Sequence, residues 1–165
     1  RTMRATVTPN GTLRLGLELF TAALGRGGLR ADKHEGDGAT PVGLLPLRYV
    51  LYRPDRLAAP SCSVPVRPIG RQDGWCDDPS HPAYNTAVTL PIEASAESLW
   101  RDDAVYDIIG VLGWNDAPIR AGFGSAIFLH LARPDYAPTE GCVALASDDL
   151  RRVLAMGLTE ILVTA

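Results

Sequence analysis

The sequence predicts a mainly β, α+β domain, and three observations carry that expectation. Polar and apolar side chains alternate through residues 2–8 and again through 12–20, the period of a half-buried strand. Sixteen glycines and thirteen prolines among 165 residues favour short elements joined by turns over a helical bundle. Only two stretches, 95–103 and 147–157, suit a helix. A chain of this length buries a sizeable core as one domain, 1–165, without needing a disulfide or a metal.

Taken in order, "TMRATVT" is a strand, "PNG" at 9–11 is a turn, and "TLRLGLELF" continues the alternation, so the chain opens on a hairpin. "TAALG" (21–25) reads as a further short strand before a polar, glycine-rich loop over 30–43, and "LPLRYVLYR" (45–53) as another strand. Residues 54–91 form a long proline-dense excursion in which Trp75, Tyr84 and several valines recur, which marks it as ordered rather than low-complexity. "SAESLWRDD" (95–103) suits a short helix, and "AVYDIIGVLG" (104–113) and "SAIFLHL" (125–131) are apolar, β-branched runs expected as central strands. "VAL" at 143–145 is a short strand. Ser147 is the expected helix cap, Asp148 and Asp149 favour the positive helix end, and Leu150, Val153 and Leu154 make the buried stripe. Gly157 stops this helix before a last strand, "EILVT".

Net charge is -3 and the arginines are scattered, so no basic stripe points to nucleic acid. No apolar run is long enough to span a bilayer, and no secretory signal opens residues 1–165. Three cysteines, Cys62, Cys76 and Cys142, form no CxxC pair and no spacing of zinc-site type, so a structural zinc is not expected. A disulfide between Cys62 and Cys76 stays open, because connectivity does not follow from a count.

The chemistry concentrates in "SAIFLHLARPDYAPTEGCVAL" (125–145), which holds His130 near a strand end and Cys142 on the loop that follows. An ordinary thiol is only a few per cent thiolate at neutral pH, so a cysteine nucleophile needs a base, and His130 is the candidate. Gly141 lets the backbone approach closely, which would turn N–H groups toward an oxyanion, and Thr139 either adds a hydroxyl contact or stabilises the turn. The competing reading is a core histidine beside an inert buried thiol. Glu140 raises the thiol pKa if its charge faces the sulfur, and Arg133 is the nearest cation in sequence, suited either to balance it or to fork a substrate carboxylate. His34 is expected on the loop surface.

Thr139, Gly141 and Cys142, with His130 upstream, resemble the signature of the YkuD-type L,D-transpeptidase family, a histidine followed by Ser/Thr-His-Gly-Cys. Thr40, Pro41 and Gly43 in "GDGATPVG" (36–43) resemble the family's Gly-x-x-Thr-Pro-x-Gly segment. The departures are Glu140 in place of the second histidine and Ala144 where an arginine is common. The chain is similar to a divergent branch of Gram-negative bacteria, with "GSAIFLH", "APTEGCVAL", "HPAYN" and "LWRDD" as markers, linked to peptidoglycan crosslinks of the 1,3 type.

The resemblance implies a mixed β-sandwich catalytic domain with one or two short helices and a thioester acyl-enzyme on Cys142. It also implies transfer of a stem peptide to an amine of another stem, no metal or organic cofactor, and export to the periplasm. His81, Tyr84 and Asn85, together with Trp100 and Arg101, are weaker candidates to line the cleft and grip a peptide, or else are core staples with a polar tip. The alternatives are hydrolysis with water as acceptor, a wall-binding module silenced by Glu140, and a papain-like or NlpC-type peptidase. The last is disfavoured because the histidine precedes the cysteine here.

Overall fold

The computed structural model describes all residues, 1–165. The elements run β1 (Arg4–Thr8), β2 (Thr12–Leu15), β3 (Glu18–Ala23), β4 (Leu29–Arg30), β5 (Thr40–Pro41), β6 (Gly43–Tyr52), β7 (Val66–Pro68), β8 (Asp73–Cys76), β9 (Ala87–Thr89), β10 (Ala96–Ser98), β11 (Ile108–Leu112), β12 (Phe128–Leu131), β13 (Val143–Leu145), α1 (Ser147–Ala155) and β14 (Glu160–Val163). One sheet runs β3-β2-β1-β14-β6 and the other β3-β13-β12-β11-β6, with β7 added to β6.

β6 and β3 belong to both sheets. The first residues of β6 pair with β14 and the later ones with β11, while Thr21 of β3 pairs with β2 and Ala22 with β13. Two strands that cross over in this way close the sandwich along both sides, so few edges are left unpaired.

The sequence alternation works differently in the two sheets. β1 and β2 alternate buried and exposed positions, as a sheet with one wet face must. β11 and β12 are buried throughout, because both of their faces are covered. Ile108, Leu112, Leu129, Leu131, Val143 and Leu145 point into the main core with α1. Ile109, Val111, Phe128 and Cys142 point the other way, into a second cluster with Trp75, Leu99 and Tyr106. That second cover is the excursion together with the 95–106 segment, folded as a small sheet of order β10-β8-β9 and fixed by Trp75 standing edge-on to Phe128 at 5.2 Å.

Four local expectations are corrected. Residues 95–103 hold no helix: β10 pairs with β8, Glu97 opposite Trp75, and Leu99 is buried, so tertiary pairing overrides a weak local preference. "TLRLGLELF" is two strands, split at Gly16, whose φ of +61° makes the tight turn that an L side chain resists. "TAALG" is the end of β3 rather than a strand of its own. Ser147 is the first helical residue and the cap is Ala146, without a side-chain bond; Asp148 and Asp149 alone serve the helix N-terminus. All three cysteines are free thiols. No helix is long and apolar enough to cross a membrane.

Candidate active site

The loop that carries Cys142 is built from hydrogen bonds that the sequence only hinted at. Thr139 pairs with the 24–26 segment, donating to Leu24 O at 2.9 Å and accepting from Arg26 N at 2.8 Å. That segment is pinned by Gly25 N donating to Thr40 Oγ1 at 2.9 Å. A Cβ on Gly141 (φ +135°) would stand 2.7 Å from Ala39 O, closer than side chains tolerate, so only glycine lets the turn lie on the 36–43 segment. The Thr-Pro-x-Gly and Thr-Glu-Gly-Cys segments are thus two halves of one support.

Within the turn, Thr139 Oγ1 donates to Cys142 O at 2.7 Å and accepts from Gly141 N at 3.1 Å. The Thr139 hydroxyl is therefore taken up by the backbone of the turn. Gly141 N–H is occupied as well, which removes it as a free oxyanion donor, whereas Cys142 N–H has no acceptor in the protein.

The parallel register of β12 and β13, His130 opposite Ala144 and Leu129 opposite Val143, sets Cys142 level with Phe128 and two residues from His130. Both side chains fall on the outer face and border the same cleft. The Cys142 thiol donates to Ala126 O at 3.3 Å and accepts from Phe128 N at 3.4 Å. His130 Nδ1 lies 3.0 Å from Leu131 O. A carbonyl only accepts, so the neutral ring carries its proton on Nδ1 and keeps Nε2 as its base. Tyr106 packs edge-on against this ring at 5.4 Å.

Both groups rest uncharged. Burial pushes the Cys142 thiol up to about 12, with the charge of Glu97 adding and the Phe128 N–H opposing. Burial lowers His130 to about 4, the Leu131 carbonyl opposes, and Arg101 and Arg133 add to the fall. An imidazolium–thiolate pair is therefore not the resting state; a neutral imidazole and a protonated thiol border one cleft.

Cys142 and His130 open onto a cleft of about 520 Å³ walled by Arg101, Arg133, Glu97 and Glu140 among others. Arg101 grips Asp103 through two bonds, 2.9 and 2.6 Å, holding that carboxyl down at about 2. Arg133 stands 3.7 Å from the same carboxylate and remains half exposed. Glu140 is turned to solvent and bonded to Arg26 at 2.9 Å, so its charge raises the thiol less than burial or Glu97 does.

Tyr84, Asn85 and His81 do not line this cleft. Asn85 is buried because all its polar atoms are used: it accepts from Trp75 Nε1 and Ala126 N and donates to the carbonyls of Trp114 and Asn115. Ala126, at a φ of +54°, is the residue whose carbonyl takes the thiol, so Asn85 acts behind the site. The Tyr84 hydroxyl donates to Glu35 and accepts from Gly124 N, and His81 Nδ1 accepts from Ala83 N within its own turn. Trp100 is likewise a staple, with the Arg53 guanidinium 3.6 Å over its ring. His34 is exposed and rests on Phe123.

Sequence reasoning missed Glu97 and Tyr106, which also wall the cleft. The signal was present: Glu97 and Leu99 are two apart, and in a strand an acid in phase with a buried leucine points inward.

No curated protein matches the chain in sequence. Among solved structures it is similar to L,D-transpeptidase 1 of Mycobacterium tuberculosis, at 12% identity and a TM-score of 0.41, over 99% of this chain and 62% of that one. It is also similar to an L,D-transpeptidase of Mycobacterium smegmatis, at 14% identity and a TM-score of 0.46, over 99% of this chain and 58% of that one. The chain thus spans about three fifths of the length of each. The family model for the L,D-transpeptidase catalytic domain, YkuD, matches residues 1–160. Nearly the whole chain is covered by that match, and the protein belongs to the YkuD L,D-transpeptidase family.

Proposed function

We propose that this domain is a peptidoglycan L,D-transpeptidase that works through a thioester on Cys142. The observation that carries the reading is the placement of His130 and Cys142 on one face of the sheet, both bordering a cleft with room for a peptide. In the first half-reaction His130 Nε2 takes the thiol proton as sulfur attacks the stem-peptide carbonyl. The C–N bond breaks, and the imidazolium returns that proton to the leaving amine. The unpartnered Cys142 N–H is the donor for the developing oxyanion. Arg133, with donors to spare, is suited to a stem carboxylate. In the second half-reaction an amine of another stem displaces the sulfur and closes the crosslink.

Two features support a working enzyme over a silent wall-binding module. Glu140 is neutralised by Arg26 at the surface, and the base keeps its lone pair at any pH above about 4. Export to the periplasm follows from where such a substrate lies. Mass spectrometry of muropeptides after incubating sacculi with the protein tests the reading. New crosslinked dimers are expected with the wild type and none with Cys142→Ala, and fragmentation of the dimers separates 1,3 from 3,3 linkage. Equal dimer yields from both proteins would refute it.

A further inference from the structure

The charges in the cleft are unevenly matched. Lys33 is paired with Asp37, Arg101 with Asp103, and Arg133 lies nearest the same Asp103. Three cleft carboxylates have no cation within bonding distance and are met only by hydroxyls: Glu35 by Tyr84 and Ser125, Asp77 by Ser95, and Glu97 by Tyr106. Of these, Glu97 projects from β10 with the inward phase of Leu99, and its charge is the one that bears most on the Cys142 thiol. Burial raises its carboxyl, Tyr106 opposes, Asp77 and Glu35 add, and Arg101 opposes.

The proton count of the transfer reaction supplies an independent requirement. An aliphatic amine has a pKa of about 10 and reaches the cleft as an ammonium. It must lose one proton before it can attack and a second as the amide forms. His130 accounts for only the second, which it passes to the departing sulfur to restore the thiol.

We propose that Glu97 receives the ammonium of the acceptor stem and takes its first proton. The proposal rests on the transfer reading above. The Glu97 carboxylate removes one proton to give the neutral amine, which attacks the thioester carbonyl. The C–N bond forms and the C–S bond breaks. The second amine proton travels through His130 to Cys142, and Glu97 then returns its own proton to solvent. When water is the acceptor a single proton goes to sulfur, and Glu97 has no part. Glu97 is therefore a determinant of transfer against hydrolysis.

Glu97→Gln tests this, since the amide keeps an acceptor for the Tyr106 hydroxyl. Wild type and variant are acylated with a synthetic stem peptide, followed by intact mass, and offered either diaminopimelate or hydroxylamine, which is already unprotonated at neutral pH. Both proteins should form the thioester. With diaminopimelate the ratio of transfer to hydrolysis should fall about 10²-fold in the variant and recover as the pH rises toward the amine pKa. With hydroxylamine the ratio should stay near the wild-type value. An unchanged ratio with diaminopimelate, or an equal loss with both nucleophiles, overturns the role of Glu97. If the wild type forms no thioester, the transfer reading itself fails and takes this proposal with it.

Discussion

The two faces of the β11-β12-β13 sheet lie one residue apart in sequence and differ in nearly every physical respect. Leu129 and Leu131 enter a core lined by aliphatic side chains and α1. Phe128 and His130, in the opposite phase, face the excursion and the cleft. The first face contributes stability through close packing. The second holds a thiol and an imidazole out of water, so that neither ionises at rest. The contrast teaches that the protonation states of the thiol and imidazole are set by the layer laid over the sheet, while their positions come from the strands beneath it.

Substitutions on the two faces should separate these contributions, and the largest effect is expected at the sulfur. Cys142→Ala should abolish thioester formation by intact mass while leaving the unfolding midpoint within about 1 kcal/mol of wild type, because a small apolar side chain fits the same site. His130→Ala should lower the rate of acylation by about 10²–10⁴-fold, the usual worth of a general base. In the wild type the acid limb of that rate should fall near pH 4 rather than 6.5, since the imidazole is the base and burial lowers it.

Leu129→Ala, on the dry face, should cost about 2–5 kcal/mol in urea unfolding, yet leave the folded protein reactive at Cys142 toward a thiol probe. Asn85→Ala should cost about 1–3 kcal/mol, because the Trp75 and Ala126 N–H groups lose a buried acceptor. It should also slow acylation, since Ala126 holds the thiol. The smallest effect is expected at Glu140→Ala, which removes an exposed ion pair and should shift stability by at most about 1 kcal/mol.

The neutral pair also predicts how stability follows pH. Between about 4 and 6.5 the unfolded chain protonates His130 and the folded chain does not, so the unfolded state binds more protons and stability rises with pH. Above 9 the unfolded chain ionises Cys142 while the folded chain holds the proton to about 12, so stability falls with pH. The buried Glu97 carboxyl is raised and pulls the other way in the acid range, so each slope is read from urea midpoints as a difference between wild type and the variant lacking the group. His130→Gln should flatten the acid one, and an unchanged acid slope would mean that another group titrates there.

Much of this was legible in the residues. Strict alternation located β1 and β2, the β-branched runs located β11 and β12, and the 150, 153, 154 spacing located α1, because each is a local pattern that burial enforces residue by residue. His130 and Cys142 were legible as candidates for a reactive pair, and the Thr-Pro-x-Gly segment as a second landmark. What was not legible depends on contacts distant in the chain. β10 forms because β8 pairs with it some twenty residues away, and no window over 95–103 contains that partner. The "HPAYN" residues look like a peptide grip by composition, yet their polar atoms meet Trp75, Ala126 and the 114–115 carbonyls behind the site.

The sequence by itself determined the fold class and the places of the longer strands and the helix, and it singled out His130 and Cys142 as candidate base and nucleophile, since these follow from side-chain period and residue type. Only the tertiary structure decided that the thiol and imidazole are both neutral, that Glu140 is bonded to Arg26, and that Glu97 stands in the cleft with no cation within bonding distance. The reason is physical: charge state and orientation depend on burial and on neighbours supplied by other strands, and neither is a property of a segment.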